Sequence, residues 1–344
     1  MQLLEDQETI PTIQVRGLQV HFEQSRGQRV RAVDNVSFAV HAGKTLGIVG
    51  ESGSGKTTVV RAILRIIDPP GRIVAGQILF RGQDLLQRPE REMQKLRGSR
   101  IAMVFQDPSG SLDPLHTIGQ QFIETIRTHH RWTREQASNR AVEVLSLVGV
   151  PDPAAAMQSY PMQFSAGMIQ RMMIGMAISC EPQVILADEP TTGLGVVLQA
   201  QILNELVKIE KKLGTAMILI THDMGVVAHM ADDIMVMYAG ACVEYGSKRQ
   251  VLLNPLHPYT LGLMRSVPQI DQERPERLKA IPGFPPDLSS LPAGCPFTSR
   301  CERKVNVCET VQPALLELEP GHYVACHSPV PENERREDYA AAAP

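Results

Sequence analysis

No apolar run in this 344-residue chain approaches the roughly 20 residues needed to cross a bilayer, so no membrane-spanning helix is predicted. The N-terminus has no apolar h-region and carries Glu5, Asp6 and Glu8 instead, which argues against a secretory signal. There is no basic excess. Lys and Arg number 34 against 37 Asp and Glu, a net charge of −3, and nucleic acid is not expected as the main partner. Internal repeats, long low-complexity tracts and a long coiled-coil pattern are also missing. Six cysteines without a secretory signal point to a reducing compartment and to free or metal-bound thiols rather than disulfides. What is there is an apolar content of 43%, enough for a sizeable core, in a length that suits one large domain with additions or two domains. The chain is expected to be soluble, with any membrane role exercised through a partner.

The most informative stretch is Gly50, Glu51, Ser52, Gly53, Ser54, Gly55, Lys56, Thr57 and Thr58, which fits the phosphate-binding pattern G-x-x-x-x-G-K-[ST]. The apolar run 45–49 before it predicts a buried strand. Val59, Val60, Ile63, Leu64 and Ile67 after it predict one face of a helix. Glycines at these positions let backbone N–H groups point at phosphate oxygens, and the helix N-terminus adds its positive dipole end. Lys56 is placed to reach the β- and γ-phosphates, and the Thr57 hydroxyl to sit on Mg²⁺.

The remaining pattern reads as an α/β chain. Strands are predicted at 13–22 and 30–40, with Val36, Phe38 and Val40 on one face, and at 76–82, 101–105, 184–188 and 217–220. A turn is expected over 23–28, and a closing hairpin over 233–245. Residues from about 107 to 165 read as a helical insert, with Thr133 and Gln136 as a capping box, continued by a helix that runs through Cys180. Residues 1–254 are read as one nucleotide-binding domain. From 255 the composition shifts toward Pro, Gly and Cys, and 255–330 reads as a separate loop-rich extension. Residues 1–11 are expected to fray, and 331–344, which include the alanine run 340–343, to be disordered.

In open α/β sheets, ligands bind beyond the C-terminal strand ends. Four predicted ends carry suitable groups: Lys56/Thr57, Gln106, Asp188/Glu189 and His222. Asp188 follows four apolar residues, and a charge there is costly unless a cation such as Mg²⁺ meets it. Glu189 is placed to orient or deprotonate a water in line with the γ-phosphate. His222 is placed to hold that phosphate and water, and Gln106 to contact both Mg²⁺ and the water.

These motifs, together with 164–171 (Phe-Ser-Ala-Gly-Met-Ile-Gln-Arg), resemble an ABC transporter ATP-binding subunit over roughly residues 13–250. The segments 49–57, 105–108, 160–161, 187–192 and 254–260 resemble more closely the ATP-binding subunits of dipeptide and oligopeptide importers, some of which carry nickel or other solutes. The resemblance implies a P-loop ABC-type fold with a RecA-like core, an antiparallel β subdomain, a helical subdomain over about 107–180 and a Cys-rich C-terminal extension. It implies an ATPase on the cytoplasmic face of the cell membrane, peripheral to it. Its partners would be a second ATP-binding subunit, two transmembrane permease subunits and an extracytoplasmic solute-binding protein. Each ATP would lie between one phosphate loop and the partner's signature helix, here Ser165, Ala166, Gly167 and Gln170. Phe22 falls where an aromatic residue stacks on adenine, and a core Phe is the alternative. A non-transport ABC ATPase and a regulatory nucleotide-binding subunit remain the rival readings.

Three departures from the resembled pattern are expected to fall on the surface offered to the partner's ATP. Ala166 replaces a signature glycine, Ile169 replaces a basic residue common in this group, and Gly193-Leu194-Gly195 replaces Ala-Leu-Asp. All suit a heterodimer in which this chain's own phosphate loop hydrolyses while the site completed by its signature turns over slowly. Toleration of Ala166 is the alternative. Late in the chain stand Cys295, Cys301, Cys308 and Cys326. Structural zinc usually shows C-x₂₋₄-C pairs, and these spacings are wider. Zinc, iron–sulfur ligation and unliganded thiols all stay open on spacing. The resemblance to dipeptide-importer subunits implies a [4Fe–4S] cluster. Cys180 and Cys242 read as core residues.

Overall fold

The computed structural model describes residues 10–23, 28–266 and 281–336. The strands in chain order are β1 (Ile13–Glu23), β2 (Arg29–Val40), β3 (Thr45–Val49), β4 (Gly71–Phe80), β5 (Gln83–Asp84), β6 (Ile101–Val104), β7 (Val184–Asp188), β8 (Ala216–Thr221), β9 (Asp233–Tyr238), β10 (Ala241–Ser247), β11 (Leu316–Glu319) and β12 (His322–Val324). The helices are α1 (Lys56–Leu64), α2 (Glu90–Leu96), α3 (Pro108–Ser111), α4 (Ile118–His129), α5 (Arg134–Leu147), α6 (Pro153–Gln158), α7 (Ala166–Ile178), α8 (Val196–Leu213), α9 (Met224–Met230), α10 (Lys248–Leu253), α11 (Pro258–Arg265) and α12 (Glu332–Arg336).

Two sheets organise the chain. An antiparallel sheet runs β2-β1-β4-β5, and a larger one runs β11-β12-β10-β9-β3-β8-β7-β6. In the larger sheet β9, β3, β8, β7 and β6 are parallel. Their apolar sequences follow from burial on both faces: every residue of β3, β7 and β8 is buried. β2 alternates, with Val36, Phe38 and Val40 inward. One core cluster packs this antiparallel sheet against α1 and the parallel strands, and a second joins α4, α5, α7 and α8 to the other side.

Local chemistry sets the element ends. The capping box of α5 forms as predicted, Gln136 N donating to Thr133 Oγ1 at 3.2 Å and Thr133 N to Gln136 Oε1 at 2.9 Å. Thr117 and Gln120 cap α4 in the same way. α1 is shorter than its apolar pattern: it ends at Leu64, with Arg65 left-handed at φ 54°, and Ile67 packs against the core from beyond the helix. β4 is longer than predicted, because it pairs along β1 from Phe22 with Gly71 to Ile13 with Phe80. The predicted turn over 23–28 lies largely outside the described residues, as do 1–9 and the alanine run 340–343.

The segment after 255 is not set apart. β12 pairs antiparallel with β10, and β11 with β12, so it extends the central sheet. Tyr259, Cys295, Phe297 and Cys308 share a core with Val49 and Tyr238. Nor is 331–336 disordered: α12 forms there, and Arg335 Nη1 donates to Glu319 Oε1 at 2.9 Å and Asn254 Oδ1 at 3.1 Å. Among the described residues no helix is long and apolar enough to cross a membrane.

Candidate active site

Strands β3, β8, β7 and β6 are neighbours in that order, so their C-terminal ends bring the phosphate loop, His222, Asp188/Glu189 and Gln106 side by side. The loop is wedged between other strands. Gly50 (φ 153°) and Gly55 (φ 100°) take backbone angles that L side chains rarely adopt. A Cβ on Gly50 would stand 2.2 Å from Met237 O, and one on Gly55 2.1 Å from Ala32 O. Gly53 has open space around it, Ser52 is exposed, Ser54 is buried, and Thr58 is half-buried in the first turn of α1.

Lys56 is only 5% exposed. Its Nζ curls back to donate to Gly50 O at 2.7 Å and Glu51 O at 2.9 Å. Burial lowers its pKa, opposed by the charges of Glu189, Asp188 and Glu51. Thr57 Oγ1 donates to Asp188 Oδ1 at 3.0 Å. Asp188 is 2% exposed, and burial pushes its carboxyl up despite that bond. A buried carboxylate beside a hydroxyl, at the mouth of a glycine cradle, is the oxygen donor set of a hard divalent cation, so these residues fit Mg²⁺ with a nucleotide phosphate.

Glu189 departs from strand geometry at once. Its φ is +47°, and its amide donates to Ile220 O at 2.9 Å. Its carboxylate is thereby turned among three side chains. Gln106 Nε2 and Thr192 Oγ1 donate to Oε2 at 3.0 and 2.9 Å, and His222 Nδ1 lies 3.4 Å from Oε1. A left-handed non-glycine residue at a strand end is the kind of strain that functional sites hold. Thr192 was not anticipated in this role, although it ends the quoted 187–192 motif. Asp223 caps α9 through Gly225 N at 2.8 Å and also accepts from Gln199 Nε2 at 3.1 Å, fixing the backbone beside His222.

Comparison with known proteins decides what this arrangement is. The ABC transporter family matches residues 33–192, and the family described as "Oligopeptide/dipeptide transporter, C-terminal region" matches 243–308. The probable peptide ABC transporter ATP-binding protein y4tR of Sinorhizobium fredii is 45% identical over 91% of this chain and 94% of its own length. The oligopeptide transport ATP-binding protein OppD of Escherichia coli is 43% identical over 96% of each. The dipeptide transport ATP-binding protein DppD of the same species is 44% identical over 92% of this chain and 97% of its own. The chain belongs to the oligopeptide/dipeptide family of ABC transporter ATPases. The dimeric structure of MJ0796, a bacterial ABC transporter cassette, superposes with a TM-score of 0.62 at 25% identity, over 69% of this chain and 99% of that one.

Other residues of this ABC ATPase are placed as follows. Ser165 stands at the N-cap position of α7 without a side-chain capping bond, and it and Ala166 are exposed at that helix N-terminus. Gly167 is buried, and a Cβ on it would stand 2.1 Å from Leu198 Cδ2, so α8 needs the glycine for close approach. Gln170 does not share the exposed surface: it is 2% exposed, and its Nε2 has no partner among the described residues. Phe22 is half-buried, and a Cβ on Gly71 would stand 2.5 Å from its Cε1. Glu51 is engaged by Tyr259 and Arg300, 208 and 249 residues further on, which no local sequence pattern could signal.

The expected four-cysteine ligand set is not assembled. Among the described residues no three His, Cys, Asp or Glu side chains stand close enough to hold an ion. The thiols are nevertheless neighbours. Cys295 N donates to Cys308 O at 2.8 Å. Burial, joined by the charges of Cys301, Cys295 and Cys308, pushes Cys326 up to about 12.

Proposed function

We propose that this ABC ATPase drives uptake of dipeptides, oligopeptides or similar small solutes from the cytoplasmic face of the cell membrane, to which it binds peripherally. Its relatives' roles in peptide and dipeptide transport support that cargo class. The reading requires two permease subunits to carry the solute, an extracytoplasmic binding protein to deliver it, and a second ATP-binding subunit. Residues 1–254 form the nucleotide-binding unit in this reading, and 255–330 an extension docked on it.

The observation that carries the catalytic part is the Glu189 carboxylate, oriented by Gln106 and Thr192 with His222 beside it. Glu189 takes the proton of the attacking water, and Gln106 and His222 hold that water and the terminal phosphate in line. Lys56 leaves the loop carbonyls to meet the β- and γ-phosphates. Thr57, Asp188 and Gln106 would hold Mg²⁺, which would supply charge stabilisation for the phosphate oxygens. The test is Glu189→Gln: ATP binding is kept, and hydrolysis by the assembled transporter falls about 10²–10⁴-fold. Near-normal turnover would remove Glu189 from the role.

The second ATP-binding subunit packs head to tail over α7 and α8. Ser165 and Ala166 are exposed there, and Val196 and Val197 on α8 are 83% and 74% exposed, an apolar pair that such a subunit would cover. The exposed Ala166 and Gly195 support an asymmetric heterodimer in which the site completed by this signature is the slower one. The late cysteines are read as ligands of a [4Fe–4S] cluster. Support comes from the nearness of the four cysteines and from burial, which raises the thiols of Cys295, Cys301 and Cys326, a cost that a cationic centre would relieve, although the sulfurs must draw closer to bind it.

A further inference from the structure

Glu51 of the phosphate loop is held on three sides. Its amide donates to Tyr259 Oη at 2.8 Å, and its carbonyl accepts from Lys56 Nζ at 2.9 Å. Its carboxylate takes both prongs of Arg300, Nη1 to Oε2 at 2.6 Å and Nη2 to Oε1 at 2.9 Å. Arg300 is itself fixed. It is 5% exposed, donates from Nε to Pro282 O at 2.8 Å, and lies 5.8 and 5.9 Å from the ring centroids of Tyr238 and Phe297. Tyr259 is fully buried, its ring 4.6 Å from Tyr238 and 5.5 Å from Phe297. Burial pushes its phenol up, so it stays a neutral hydroxyl able to accept from the Glu51 amide.

Three consequences bear on nucleotide. The Glu51 amide is committed to Tyr259, so the donors left for phosphate lie later in the loop. The Glu51 carboxylate would repel a triphosphate if it were unpaired, and Arg300 neutralises it. Lys56 rests on the Gly50 and Glu51 carbonyls, so a shift of Glu51 moves the lysine as well. We propose that Arg300 and Tyr259 are positioning residues for ATP binding: from the C-terminal segment they clamp Glu51 and hold the phosphate loop in its phosphate-accepting form. The fork-to-carboxylate geometry needs arginine, because a lysine ammonium makes only a point contact. The inference rests on the ATP site and is independent of the transported solute.

The test measures MgATP affinity of the full chain by displacement of a fluorescent ATP analogue. It compares wild type with Arg300→Gln, Arg300→Lys, Tyr259→Phe, Glu51→Gln and the double variant Glu51→Gln/Arg300→Gln. KM and kcat are read in the assembled transporter, and melting temperatures are recorded. Loss of the charge-assisted pair is expected to weaken ATP binding about tenfold in Arg300→Gln, and the lost hydroxyl severalfold in Tyr259→Phe. KM rises by a larger factor than kcat falls, and Arg300→Lys does not restore affinity. Both residues act through Glu51, so the double variant binds no more weakly than Glu51→Gln alone. A merely structural role would lower the melting temperature and leave KM in place. Unchanged affinity in folded Arg300→Gln and Tyr259→Phe, or additive losses in the double variant, overturns the proposal. If Arg300→Gln does not fold, Tyr259→Phe, which removes one oxygen, decides. A wild-type chain that fails to bind MgATP would overturn the ATP site instead.

Discussion

Glu244→Gln tests how the C-terminal segment is joined to the nucleotide-binding core. Glu244 on β10 and His322 on β12 are both fully buried. Oε1 accepts from Leu256 N and His322 Nε2, each at 2.8 Å, and Oε2 accepts from His257 N at 2.8 Å. One carboxylate thus joins β10, the approach to α11 and the terminal hairpin. A glutamine fills the same space but offers one acceptor oxygen. Whichever way its amide turns, its NH₂ faces a backbone N–H. One orphaned buried N–H costs about 1–3 kcal/mol, and weakening of the remaining charge-assisted bonds adds to it. The expected loss is about 3 kcal/mol, a large share of the roughly 5–15 kcal/mol that stabilises a folded chain. Urea unfolding would show a lower midpoint. Hydrogen exchange would show earlier opening of β11 and β12 with β7 unchanged. An unfolding free energy within about 0.5 kcal/mol of wild type, with protection of β12 intact, would refute the reasoning.

Asp188→Asn is expected to stabilise the nucleotide-free chain at neutral pH while abolishing Mg²⁺-dependent hydrolysis. Burial raises the folded-state pKa of Asp188 above its unfolded value, so the ionised group costs stability above that folded pKa. The gap between variant and wild type should narrow as pH falls through it; thermal melts from acid to neutral pH check this, and a gap that widens toward acid contradicts the sign. Trapping nucleotide after turnover should label this chain's own phosphate loop more than the site completed by Ser165 and Ala166, and equal labelling would defeat the asymmetric reading. Chain purified without oxygen should absorb in the visible and lose that band in Cys295→Ser, whereas a colourless, iron-free chain would leave the four thiols without a cluster.

Much of the site could be read from the sequence because its elements are short and locally encoded. Residues 50–58 carry their own loop geometry, and the apolar runs before Gln106, Asp188 and His222 mark strands whose ends must open to ligand. Thr133 and Gln136 announce a helix start because capping joins residues three apart. Long-range pairing was not legible. β4 is lengthened by β1, and α1 stops where Arg65 turns left-handed although the apolar pattern continues to Ile67. The Pro- and Gly-rich composition after 255 suggested a detached extension, yet β12 and β11 complete the central sheet, because an edge strand needs a partner that composition does not name.

The sequence by itself determined the chemistry: a glycine cradle, a lysine, and the carboxylates, amide and imidazole that follow four apolar strands. Only the tertiary structure decided how those groups face one another. It set Glu189 between Gln106, Thr192 and His222, and it placed Arg300 and Tyr259 behind Glu51. The physical reason is one of range. Backbone angle, capping and apolar period act over a few residues and are written locally, whereas a half-buried ion pair between residues 249 apart exists only once two distant segments share a core.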